Sequence, residues 1–147
     1  MVKGRNLKCR SAIGDDEIHT RHQFDTNICI YLIKNHPPGV SEKFRQYRKG
    51  EVAVSSITWA ELCCGIQKDG LPLLEHLRTL LHVADFDAHA GSVYGALTIQ
   101  HPNRKANLDR MIAAHALSLR ATLVTNNMAD FELYRTSGLL LENWAVA

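Results

Sequence analysis

The stretch Asp25-Thr26-Asn27-Ile28-Cys29-Ile30-Tyr31-Leu32-Ile33-Lys34-Asn35 decides how this chain is read. A carboxylate, a hydroxyl and an amide stand in a row, and an apolar run follows with its larger residues partly at helical spacing. In an α/β protein such a stretch marks the end of a first strand and the start of a first helix. Ligands of open α/β sheets sit beyond the carboxyl ends of the strands. Asp25 is therefore read as the first of several acids gathered at that edge to hold a divalent metal.

Upstream, Ile18-His19-Thr20-Arg21-His22-Gln23-Phe24 should hold the strand that presents Asp25. It alternates, but it is far more polar than a central parallel strand, which is nearly continuous Val, Ile and Leu. Residues 1–22 carry Lys3, Arg5, Lys8 and Arg10, then Asp15-Asp16-Glu17, without apolar periodicity. They read as a loosely held extension, leaving 23–147 as one domain.

A chain of 147 residues is long enough for one real core. Hydrophobic residues at 46% and charged residues at 22% are an ordinary globular mix, and a net charge of +2 does not announce a nucleic-acid binder. The four cysteines, Cys9, Cys29, Cys63 and Cys64, form no Cys-x-x-Cys pair. That argues against a zinc cluster or disulfide framework and makes a reducing cytoplasm the simplest setting. No apolar run approaches a membrane span, and the N-terminus has no signal-peptide core.

Downstream, helices alternate with short apolar strands. A helix is expected from Asn27 to about Lys34, ahead of Pro37-Pro38. Val40, Phe44 and Tyr47 suggest a second, ended by Gly50. Glu51–Ser55 reads as a strand and Thr58–Gln67 as a helix with Leu62 and Ile66 on one face. Pro72 opens a helix whose apolar face is Leu73, Leu74, Leu77, Leu80 and Leu81. His82–Phe86 reads as a strand. A helix then runs from Asp87 or Ala88 to about Gln100, with Val93, Tyr94 and Leu97 inward. A polar, basic loop follows, and Asn107–Leu119 is the clearest helix of all. Ala121–Thr125 reads as a buried strand, Asp130 as the cap of a short helix, and Leu139–Leu141 as the last strand. The class is α/β, a mainly parallel sheet between helices.

Four polar points fall after strands or in first turns of helices: Asp25, Glu61, Asp109, and the group Asn126, Asn127 and Asp130. Strand ends lie side by side in such a sheet, so points distant in sequence converge. Hard oxygen ligands select Mg²⁺ or Mn²⁺. Two carboxylates ~5 Å apart repel by roughly 3 kcal/mol at an effective dielectric near 20, a cost that a cation removes. Taken singly, each point has a plainer reading. Asp25 or Asn27 caps a helix. Glu61 stands three residues after Thr58, at capping-box spacing. Asp109 complements a helix dipole, and Asn126-Asn127 is turn chemistry. His115 lies on an apolar face and reads as a hydrogen-bonded core residue, and Cys63 and Cys64 as small packing residues. Arg104, Lys105 and Arg110 either face phosphates or form a solvated face.

The stretch opened on resembles the first motif of PIN-domain ribonucleases, specifically the VapC toxins. Ser55-Ser56-Ile57-Thr58-Trp59-Ala60-Glu61-Leu62 resembles their second motif. Asp109-Arg110-Met111-Ile112-Ala113-Ala114-His115-Ala116-Leu117 resembles the third. Leu123-Val124-Thr125-Asn126-Asn127 with Asp130-Phe131 resembles the fourth, and Leu139 to Trp144 the terminal strand. The four motifs stand in order over about residues 24–146, which is far more specific than any one alone.

This resemblance implies a three-layer α/β/α sandwich and a Mg²⁺-dependent (Mn²⁺ also possible in the family) endoribonuclease that cleaves RNA, with tRNA the first substrate to expect. It further implies homodimers and inhibition by a cognate VapB-type antitoxin. Asp25, Glu61 and Asp109 carry over as metal acids. Asn127 stands, as a further catalytic position, where many members have Asp, with Asp130 or a water-mediated contact as the substitute acid, and Thr26, Asn27, Thr125, Asn126 and Asp130 would orient phosphate or water. The chain departs from the family in its polar first strand, its long N-terminal segment and the loop before Asp109. Those departures keep open a binding-only member that cuts nothing. An aspartate-phosphorylated receiver or a phosphatase also places an Asp after a first strand. The phosphatase pattern wants a second Asp where Asn27 stands, and the receiver wants a Lys after a late strand.

Overall fold

The computed structural model describes residues 19–65, 70–103 and 107–146. Five strands form one sheet: β1 (His22–Phe24), β2 (Val52–Ser55), β3 (His82–Ala84), β4 (Thr122–Val124) and β5 (Leu141–Glu142). Their order is β3-β2-β1-β4-β5, and every pairing is parallel. The connecting helices are α1 (Thr26–Lys34), α2 (Pro38–Phe44), α3 (Ser56–Gly65), α4 (Leu71–Leu80), α5 (Ala88–Gln100), α6 (Asn107–Leu119) and α7 (Met128–Phe131). A 3-10 segment, Glu132–Ser137, follows α7. Two apolar clusters pack on the two faces of the sheet. One joins Phe24, Val52, Val54 and Val124 to α1, α2, α4 and Trp144. The other joins Leu123 and Leu141 to α5, α6 and Tyr134. This is the expected α/β/α sandwich.

The first strand is the informative surprise. Polar β1 is the central strand, and all three of its residues are buried. Three devices resolve the conflict with the rule for parallel strands. Phe24 packs edge-on to Trp144, ring centroids 5.3 Å apart. His22 lies against Tyr47 and Trp144 at 4.8 and 5.1 Å, with Nε2 3.5 Å from the Glu142 carboxylate. Burial holds its imidazole below the usual His range, so this is a core aromatic with a polar edge. Gln23 turns to the opposite face and donates from Nε2 to the Ile112 carbonyl at 3.1 Å. None of these partners lies within twenty residues of β1, so periodicity around β1 cannot reveal them. The division drawn between residues 22 and 23 falls inside β1, and residues 1–18 lie outside the described residues.

Most elements stand where the sequence puts them, within a residue or two. Asn35, at positive φ, closes α1 as a left-handed C-cap. Asp87 caps α5, accepting from the Ala90 N–H at 2.9 Å. Some expectations need correcting. The helix α3 begins at Ser56, not Thr58, and the Ser55 hydroxyl accepts from the Ile57 N–H at 3.0 Å. Thr58 is buried inside the helix, so there is no Thr58–Glu61 capping box. In α4, Leu73 is exposed, and Leu74 and Leu77 make the buried face. Asp130 sits within the first turn of α7, whose N-cap is Asn127. The last strand is Leu141–Glu142 rather than Leu139–Leu141, and Leu140 points to solvent. Cys63 and Cys64 are exposed, not packed; only Cys29 of the described cysteines is buried. Ile66, Arg104, Lys105 and Cys9 lie outside the described residues.

Candidate active site

Asp25 leaves β1 at the carboxyl end of the sheet, where its N–H donates to the Val124 carbonyl at 3.0 Å. It is the N-cap of α1, and its Oδ1 accepts from the Thr26 N–H at 2.7 Å. Its Oδ2 accepts from the Thr125 hydroxyl at 2.8 Å. The capping reading therefore holds for this residue, and its place at the carboxyl end of the sheet leaves it available to a site there. Thr125, fully buried at the end of β4, in turn accepts the Asn127 N–H at 2.9 Å. Both carboxylate oxygens of Asp25 are thus held, with Asp25 itself buried.

Glu61 lies on α3, which β2 feeds directly. Its Oε1 accepts from the Thr26 hydroxyl at 3.0 Å, which ties the second motif to the first. Asp109 stands in the first turn of α6, where the helix dipole favours a carboxylate. Its carboxyl is nevertheless pushed up to about 6. Burial is the main cause, followed by the charges of Asp130, Asp25 and Glu61. Four acids from four elements are therefore within electrostatic reach of one another. Among the described residues, no three His, Cys, Asp or Glu side chains stand close enough together to hold a metal ion as they lie. Asp130, Asp25 and Glu61 act on Asp109 through their charge. The donor set is all oxygen, which suits a hard divalent cation and offers nothing to a soft one.

The other expected residues divide. Asn127 meets the site only through its backbone N–H, and its side chain is exposed; Asp130 supplies the negative charge felt by Asp109. Asn126 is taken up elsewhere: it donates to the Tyr31 hydroxyl at 3.2 Å and accepts from Asn143 at 3.0 Å. Asn27 is half-buried in the first turn of α1 and makes no side-chain hydrogen bond among the described residues. Arg110 is 1% exposed and faces no solvent. It donates to Asn107 Oδ1 at 3.0 Å and to the Asn103 carbonyl, and it lies over the Tyr94 ring. Both sequence readings of Arg110, phosphate contact and solvated face, are overturned; it braces the loop before Asp109. His115 is the hydrogen-bonded core residue expected, its Nδ1 2.7 Å from the Ser55 hydroxyl. Gln23 and Ser55 escaped notice because their partners lie on α6, far away in sequence.

Beside the acids an apolar groove of about 630 Å³ runs between α3 and α6, lined by Ile57, Ala60, Glu61, Cys64, Gly65, Leu108 and Met111. A second hollow of about 320 Å³ lies on the other flank of Glu61, lined by Thr26, Ile30, Lys34 and Leu62 among others. An acidic edge with an apolar hollow on each side of Glu61 suits an extended macromolecular ligand rather than an enclosed small molecule. No helix among the described residues is long and apolar enough to cross a membrane.

Comparison with known proteins agrees with this geometry. The PIN domain model matches residues 24–137. Over 134 residues the chain is 37% identical to the tRNA(fMet)-specific endonuclease VapC of Shigella flexneri, covering 85% of this chain and 98% of that one. It is 38% identical over 133 residues to Ribonuclease VapC2 of Haemophilus influenzae, covering 84% and 98%. The crystal structure of VapBC2 from Rickettsia felis bound to a promoter DNA fragment superposes with a TM-score of 0.73 at 33% identity. That match covers 85% of this chain and 99% of that one. The chain therefore belongs to the PIN-domain family, on its VapC branch.

Proposed function

We propose that this protein is the toxin of a type II toxin–antitoxin pair, an endoribonuclease that cuts RNA with the help of a divalent cation. Mg²⁺ is the cation expected under cellular conditions, and Mn²⁺ has the same ligand preference. One observation supports the reading: the Asp109 carboxyl is pushed up to about 6, by burial first and then by the charges of Asp130, Asp25 and Glu61, which come from three other elements. Asp25, Glu61 and Asp109 would hold the cation, and Asp130 takes the fourth acidic place that Asn127 leaves vacant. When bound, the cation supplies Lewis acidity, polarising the phosphodiester and lowering the pKa of an attacking water.

The chain's own residues prepare that chemistry. Thr125 and the Thr26 N–H fix the two oxygens of Asp25, so the side chain loses little freedom when loaded. Thr26 aims Glu61 in the same way. The apolar groove beside Glu61 supports a VapB-type antitoxin as partner, and the relatives support tRNA as the first substrate class to try and a toxin–antitoxin hetero-oligomer as the assembly, with the homodimer carried over from the family resemblance. A cytoplasmic setting follows from that pairing. The binding-only alternative rested on the altered first strand and the altered loop before Asp109; β1 is central, buried and paired on both sides, which removes the first ground, and the cleavage test below decides the second. The receiver and phosphatase readings lack their Lys and second Asp.

The test is incubation of total RNA, and separately of a purified tRNA pool, with Mg²⁺, with EDTA, and with Asp25→Ala protein. Discrete Mg²⁺-dependent cleavage that Asp25→Ala abolishes supports the reading. Cleavage that survives EDTA, or that persists in Asp109→Ala, sinks the metal mechanism.

A further inference from the structure

The acids of the site sit on two bodies. Asp25 and Glu61 are attached to the sheet, at the end of β1 and on the helix that β2 feeds. Asp109 rides on α6, which packs across one face of that sheet. What holds α6 in place there is mostly alanine and leucine: Ala113, Ala116 and Leu123 are fully buried in that cluster. Such contact is strong but non-directional, and it fixes a helix less sharply along its axis than across it. Two buried hydrogen bonds interrupt the apolar layer. Gln23, 0% exposed and two residues before Asp25, donates to the carbonyl of Ile112 at 3.1 Å. His115 meets the buried Ser55 hydroxyl at 2.7 Å, while that hydroxyl also accepts from the first turn of α3, the helix carrying Glu61. Each tie runs from an element that carries one sheet-side acid to α6. The α6 ends lie three and six residues beyond Asp109, on successive turns.

The Gln23 tie contributes little to stability. The other amide atom of Gln23, Oε1, is buried without a partner. A buried unsatisfied acceptor costs stability, and an apolar side chain of similar shape would not bear that cost. Directional bonds in an apolar layer instead specify one register among near-equal ones.

We propose that Gln23 and the His115–Ser55 pair are positioning residues that lock the register of α6 on the sheet and so set the distance from Asp109 to Asp25 and Glu61. The inference rests on the metal reading of the site. It concerns metal affinity before any RNA is bound.

The test uses the full chain with Gln23→Met, with His115→Leu, and with His115→Asn, whose amide places a polar atom close to where Nδ1 stands. Mn²⁺ binding is measured without RNA, by the paramagnetic resonance of free Mn²⁺, alongside thermal unfolding in EDTA. Gln23→Met and His115→Leu should each lose on the order of tenfold in Mn²⁺ affinity, as happens when groups behind a ligand are removed. The melting temperature of Gln23→Met in EDTA should equal or exceed that of the wild type. His115→Asn should recover most of the affinity, and KM for RNA at saturating Mn²⁺ should stay within about twofold. Wild-type affinity in both apolar variants overturns the inference. So does a loss of affinity that merely follows a loss of folding stability, because the ties would then be ordinary structural bonds. A wild type that takes up no Mn²⁺ overturns the metal reading itself, and the inference with it.

Discussion

Replacing Asp109 with Asn should make the metal-free protein more stable and the metal-binding protein useless. The Asp109 carboxyl is raised from 3.8 to about 6, by burial first and then by Asp130, Asp25 and Glu61. A native pKa above the unfolded one means that the folded state resists ionisation. The resulting penalty is complete above about pH 6 and disappears as the pH falls to the unfolded value near 3.8. About two pH units at 1.36 kcal/mol each sets a ceiling of roughly 3 kcal/mol. Asp109 is only half-buried, and solvent screening reduces this to about 1–1.5 kcal/mol. For a chain of this size that raises the melting temperature by about 2–6 °C. Asn keeps the shape of the side chain and removes the charge. The assay is calorimetric or fluorescence-detected melting of wild type and Asp109→Asn in EDTA at pH 7.5 and pH 4, then at pH 7.5 with increasing Mn²⁺. The variant should melt higher at pH 7.5, lose that lead at pH 4, and gain nothing from Mn²⁺, while the wild type gains. A variant that melts at or below the wild type in EDTA at pH 7.5 would show that the acids do not repel as described.

Other outcomes can be checked alongside. Thr125→Val keeps the volume but leaves the buried Asp25 Oδ2 without its donor; it should cost about 1–3 kcal/mol in urea unfolding and weaken Mn²⁺ binding as well. Trp144→Ala removes the ring that packs His22, Phe24 and Tyr47, and should cost about 3–5 kcal/mol; a loss under 1 kcal/mol would mean that β1 is held by something else. His22 and His115 both have pKa values lowered by burial. The unfolded chain therefore binds protons first, and their contribution is intact above pH 6.5 and lost as the pH falls through that value. In Asp109→Asn protein, where the opposing carboxyl is gone, the melting temperature should drop steadily below pH 6.5. A flat profile there would contradict the burial of these imidazoles.

What the sequence determined by itself is local or repeated in form. The α6 helix is legible to the residue because its apolar period runs uninterrupted for thirteen residues. Asp25, Glu61 and Asp109 are singled out as candidate ligands because four motifs stand in order, although each acid singly has a plainer explanation. The tertiary structure decided matters that depend on partners far away in the chain. A segment as polar as His22-Gln23-Phe24 is the central strand because Trp144, Glu142 and Ile112 satisfy it from more than eighty residues downstream. Arg110 turns inward because Tyr94 and the loop at Asn103 receive it. The Asp130 charge reaches Asp109 because the first turn of α7 carries it there. Periodicity reports which face of an element is apolar. It carries no information about which distant donor will meet a buried polar group, and those meetings place Asp25 and, on our reading, Asp109 as well.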